Sequence, residues 1–78
     1  MIGINNEARE TLTVRAMITK REIEIIRYIA QGLTGKEIAL QLNLSLKTID
    51  AHKQNMMNKL GTRKSTEMVA IAYRMNWI

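Results

Sequence analysis

From Ile18 onward the apolar positions recur every three to four residues, the spacing that lines up side chains on one side of an α-helix. Ile23, Ile26, Ile29 and Ala30, joined by Ile25, make the first stripe. Ahead of it stands Thr19-Lys20-Arg21-Glu22, a capping box: the Thr19 hydroxyl can cap the amide of residue 22, and the Glu22 carboxylate can reach back. Gly32 offers a stop, so a helix is predicted over about 20–31. Thr34-Gly35-Lys36-Glu37 repeats the capping box before Ile38, Ala39 and Leu42, which predicts a short helix over about 35–42. Asn43-Leu44 is the connection, and Ser45 is the cap of a third helix. Ile49, Met56 and Leu60 share one face of this helix, over about 46–60, with Gly61 where a left-handed cap is wanted. A fourth helix, about 65–75, carries Met68, Ile71, Ala72 and Met75, with Lys64 or Ser65 as its cap.

These elements predict an all-α fold, a four-helix bundle over 18–78 containing a helix-turn-helix at about 36–59. Residues 1–17 lack a clean period and read as a linker or flexible, partly helical lead-in. Composition agrees: there is no Pro, only four Gly, and 46% of residues are apolar, enough for a packed core. The 78 residues suffice for one domain and cannot enclose a deep active site.

Chemistry is limited by what is missing. Without Cys there are no disulfides, thiolate metal sites or Cys nucleophiles, which fits a reducing compartment. No apolar run approaches the length of a membrane span, and the N-terminus lacks a signal-peptide pattern, so a cytoplasmic protein with no membrane partner is expected. His52 is the single histidine, and neither a Ser–His–Asp set nor a metal-ligand set can be assembled around it. No enzyme activity, cofactor, metal or small-molecule ligand is therefore expected.

Charge points elsewhere. The formal net charge is +5, and in residues 1–17 Arg9 and Arg15 cancel Glu7 and Glu10. Within 43–64, five cations (Lys47, Lys53, Lys59, Arg63, Lys64) face Asp50 alone, a local +4. Such a cluster on a small domain suits a polyanion. On a helical wheel, the face of 46–60 opposite Ile49, Met56 and Leu60 holds Lys47, Ala51, Gln54, Asn55 and Asn58, with Asp50 on its flank. Gln and Asn can bond an adenine edge with two hydrogen bonds, and Ala can touch a thymine methyl. Lys47 lies in the first turn, the end that usually enters a groove. The shorter helix starts at Thr34, Gly35 and Lys36, where free amides suit a phosphate.

Four separated motifs carry a family resemblance. They are Ile18-Thr19-Lys20-Arg21-Glu22, the run Gly32 to Ala39, the run Leu42 to His52, and Asn58-Lys59-Leu60-Gly61. In this order and spacing the chain resembles the LuxR/NarL-type (GerE-like) DNA-binding domain over about 18–75. The resemblance implies a transcriptional regulator that binds double-stranded DNA, often the output domain of a two-component response regulator. It implies that the third helix enters the major groove, that the fourth forms a homodimer on DNA, and that RNA polymerase is a further partner. By position, Lys36, Thr48 and Lys59 match backbone-contacting residues, Ala51 and Gln54 match positions facing bases, and His52 matches the family's mid-helix His. Asp50 stands where the family usually has Lys, Gly35 where Asn is frequent, and Ser65 where Arg is frequent.

The expected DNA-binding set is therefore Thr34, Gly35, Lys36, Lys47, Thr48, Asp50, Ala51, His52, Lys53, Gln54, Asn55 and Lys59. Lys36, Thr48, Lys53 and Lys59 are expected on the backbone, and Lys47, Asp50, Ala51, Gln54 and Asn55 on bases. Val69, Ala70 and Tyr73 form the expected dimer face, which Trp77 extends. Glu22, Glu24 and Glu37 read as capping and surface charges. Two alternatives are a sigma-factor-like promoter-recognition region and a helical protein-interaction module. The Lys59-Leu60-Gly61 ending and the fourth helix after it argue against the first, and steep salt dependence of duplex binding separates the second.

Overall fold

The computed structural model describes residues 14–78. Residues 14–17 are helical, and beyond them lie four longer helices: α1 (Lys20–Ala30), α2 (Gly35–Leu42), α3 (Leu46–Leu60) and α4 (Ser65–Arg74). No strand occurs among the described residues. Most of the lead-in expected at 1–17 lies outside them.

The helix starts obey the capping chemistry of the sequence. Thr19 Oγ1 accepts from the Glu22 amide at 3.0 Å, and Glu22 Oε1 accepts from the Thr19 amide at 2.8 Å. Thr34 and Glu37 repeat the exchange at 3.2 and 2.9 Å. Ser45 Oγ accepts from the Thr48 amide at 3.1 Å. Only α4 begins without a side-chain cap, at Lys64.

The ends need left-handed residues. Gly61 closes α3 at φ 69°, which lets the Thr62 amide return to the Met57 carbonyl. Asn43 does the same for α2 at φ 55°, and the Leu44 amide reaches the Ala39 carbonyl at 2.9 Å. Asn tolerates this region better than most residues because its short polar side chain bonds locally. The turn from α2 to α3 is thus three residues, Asn43 to Ser45, and the helix-turn-helix is compactly closed.

The core is formed by Ile18, Ile23, Ile25, Ile26, Ile38, Ala39, Ile49, Met56, Met68 and Ala72. Central α1 touches each of the other three helices. Helix α3 packs on α1, α2 and α4, so its inward stripe is fixed from three sides and its outward stripe is left to solvent.

Candidate nucleic-acid interface

The inward stripe of α3 is buried at Ile49 and Met56, which aims the other side outward. Lys47, Asp50, Ala51, Gln54, Asn55 and Asn58 are all exposed, and His52 and Lys53 are half-buried at the margins. Gln54 Nε2 donates to Asn58 Oδ1 at 3.0 Å one turn on. That bond links the two side-chain amides, and the Gln54 carbonyl oxygen accepts no hydrogen bond from the described residues. Thr48 is tied to Ser45, with their hydroxyl oxygens 2.9 Å apart.

The start of α2 lies beside the start of α3. Its hydrogen bonds engage the amides of Thr34, Glu37 and Ile38, so those of Gly35 and Lys36 lie open in the first turn. A Cβ on Gly35 would meet Leu46 Cδ1 at 2.9 Å and Asp50 Oδ1 at 3.9 Å. Glycine therefore lets α3 approach α2 closely. The Asp50 carboxylate thus lies close to the start of α2, the positive end of that helix. The Thr34 hydroxyl is engaged in its cap, and Glu37 adds a second carboxylate at the same helix end. Its pKa is lowered from the usual carboxylate value, first by the Thr34 amide and then by the Thr34 hydroxyl.

Among the described residues, Lys36, Lys47 and Lys53 take part in no ion pair; the pairs formed are Arg21–Glu24 and Lys59–Glu22. Lys59 requires a correction. The expectation placed it at a DNA phosphate, yet its ammonium lies 2.8 Å from Glu22 Oε1, 3.1 Å from Glu22 Oε2 and 2.8 Å from the Met17 carbonyl. Those acceptors use all three of its hydrogens. Glu22 is corrected with it, since it is a cap but not a surface charge, being only 2% exposed. Burial pushes its pKa up, but the Lys59 hydrogen bond, the Thr19 amide and the Lys59 charge outweigh this, and the net effect is a lowered value.

Among the described residues, the cations of the 43–64 cluster that form no ion pair are Lys47, Lys53, Arg63 and Lys64. Arg63, counted in the basic cluster, was not in the expected DNA-binding set. It lines one shallow groove with Gln54 and Asn58 at the C-terminal end of α3. Its place in the basic cluster was the available signal. On α4, Ala70 is exposed and Tyr73 is 61% exposed, whereas Val69 and Trp77 are partly packed on the core.

A capped short helix, a three-residue turn and a longer helix with a polar outward face define a helix-turn-helix DNA-binding domain. Residues 16–72 match the family of bacterial regulatory proteins of the luxR type, and the chain belongs to that family. It is a DNA-binding domain of transcriptional regulation. The match sets aside the sigma-factor-like alternative. The chain is 40% identical over 70 residues to the oxygen regulatory protein NreC of Staphylococcus aureus strain JH9, covering 90% of this chain and 32% of that protein. NreC of strain USA300 gives the same values. Among solved structures, the response regulator ChrA of a heme-sensing two-component system aligns with a TM-score of 0.75 and 28% identity. That alignment covers 96% of this chain and 40% of ChrA. The chain thus spans about a third of the curated relatives it matches.

Proposed function

We propose that this domain is the DNA-reading output unit of a two-component response regulator, and that α3 enters the major groove. The observation that carries the proposal is the outward face of α3. It is polar, nearly free of acidic groups and flanked by lysines that form no ion pair among the described residues. The resemblance in sequence to part of NreC and in fold to part of ChrA supports its place as one domain of a longer regulator. Work of this kind takes place in the cytoplasm, where the DNA is.

Base reading falls to Lys47, Ala51, Gln54 and Asn55, with Asp50 as a selective group that accepts from a cytosine amino group. Phosphate contacts fall to Lys36, Lys53 and the open amides of Gly35 and Lys36, with Thr34, Thr48 and His52 at the edge of the backbone. Ala70 and Tyr73, with the exposed part of Val69, pair two copies on adjacent half-sites. RNA polymerase is the downstream partner expected of a promoter-bound regulator.

Selection of bound sequences from random duplex tests the reading. A recovered consensus with two related half-sites supports it. Failure to enrich any sequence over many rounds contradicts it.

A further inference from the structure

Lys59 lies in the last turn of α3, 42 positions from Met17 and 37 from Glu22 in the chain. Its ammonium bridges them, 2.8 Å from the Met17 carbonyl and 2.8 Å from Glu22 Oε1. The same Glu22 oxygen accepts from the Thr19 amide at 2.8 Å. One buried carboxylate therefore joins the cap of α1 to the end of the recognition helix, and Lys59 extends the junction to the backbone ahead of α1.

That backbone is itself organised. The Ile18 amide donates to the Arg15 carbonyl at 3.1 Å, and Arg15 Nη1 donates to the Ile18 carbonyl at 3.1 Å. Residues 15–18 are thus tied into one unit. Within it Met17 is 49% exposed and Ile18 is 4% exposed, so the chain passes from surface to core at the bond to Lys59. A displacement of this unit draws the Met17 carbonyl off the ammonium and alters how the last turn of α3 is held.

The geometry points to Lys59 as a positioning residue that couples segment 15–18 to the recognition helix, so that the placement of this segment changes DNA affinity. The inference rests on the DNA-binding reading of α3. Coupling between two sites is reciprocal, so bound DNA must in turn change the stability of the segment.

The experiment monitors amide hydrogen exchange at Ile18 in the full 78-residue chain, with and without the duplex recovered by selection. The same duplex is titrated at several salt concentrations for wild type, Lys59→Met, Lys59→Arg and Glu22→Gln. In wild type, duplex slows Ile18 exchange. Lys59→Met binds several-fold more weakly with an unchanged salt slope, and its Ile18 exchange no longer responds to duplex. Lys59→Arg keeps the donors and restores the response. Should Lys59→Met not fold, Glu22→Gln, which preserves shape and removes the charge, is expected to show a weakened response. A salt slope reduced by about 0.9 in Lys59→Met would make the lysine a phosphate contact and overturn the inference. So would an Ile18 response that is absent in wild type or intact in Lys59→Met. Wild type that binds no duplex overturns the DNA-binding reading instead, which is a different outcome.

Discussion

Glu22 meets two demands with one carboxylate. It completes the Thr19 cap, and it receives Lys59 from the far end of α3. Removing the lysine leaves a buried carboxylate unpaired, at a cost on the order of 3 kcal/mol. Whole domains hold together by only about 5–15 kcal/mol, so Lys59→Met should lower the denaturant midpoint markedly. The lowered Glu22 pKa gives the pH dependence. A depressed folded-state value means the stabilisation is complete above the ordinary value of 4.5 and is lost as pH falls through the folded-state value. Denaturation measured at pH 7 and near pH 3 should show a smaller stability loss for Glu22→Gln than for wild type. The cap was legible in the sequence because its partners are three residues apart. The Lys59 pair was not, because no local pattern links positions 37 apart. On the reading face, Gln54→Ala should relax base preference at one position by about 1–3 kcal/mol. Its check is competition between duplexes that differ at that base. Lys36→Ala should instead weaken all duplexes alike and reduce the salt slope by about 0.9.

The helices themselves were legible almost to the residue. Helices α2 and α3 have the expected bounds, and α1 and α4 each end one residue earlier than expected. The reason is chemical: caps at Thr19, Thr34 and Ser45 and the stop at Gly61 are each set by the local residue type. Gly61→Ala forces a side chain into a left-handed backbone with no steric contact within 4 Å, so the cost is conformational alone. It should destabilise by about 1 kcal/mol, read as a lower melting temperature. Less legible was how α2 and α3 meet. The sequence shows Gly35 and Asp50 as two separate departures from the family pattern. The structure makes them neighbours, since Gly35 admits α3 and Asp50 turns its carboxylate toward the α2 start. Neutralising that group with Asp50→Asn should therefore raise affinity for duplexes in general, by electrostatics at the α2 start, while any cytosine-directed preference is lost.

At the scale of the molecule, a central α1 holds α3 from behind and leaves its polar face free. That arrangement stems from the periodicity of the apolar residues, which is why the bundle and the outward polar face of α3 could be anticipated together. The free charge could not. The sequence shows five cations in 43–64 against Asp50, a local +4, but the fold pairs Lys59 with Glu22. Among the described residues, the cations in and around the helix-turn-helix that form no ion pair are Lys36, Lys47, Lys53, Arg63 and Lys64.

The central claim is that α3 and its surrounding lysines bind duplex DNA, and equilibrium titration of the selected duplex across a salt series tests it most directly. If Lys36 and Lys53 each neutralise one phosphate, log affinity should fall with log salt at a slope of about −1.8 per protomer. The slope should be unchanged in Lys59→Arg and shallower in Lys36→Ala. Duplex binding that is absent at low salt, or whose affinity does not change as salt rises, would contradict the account.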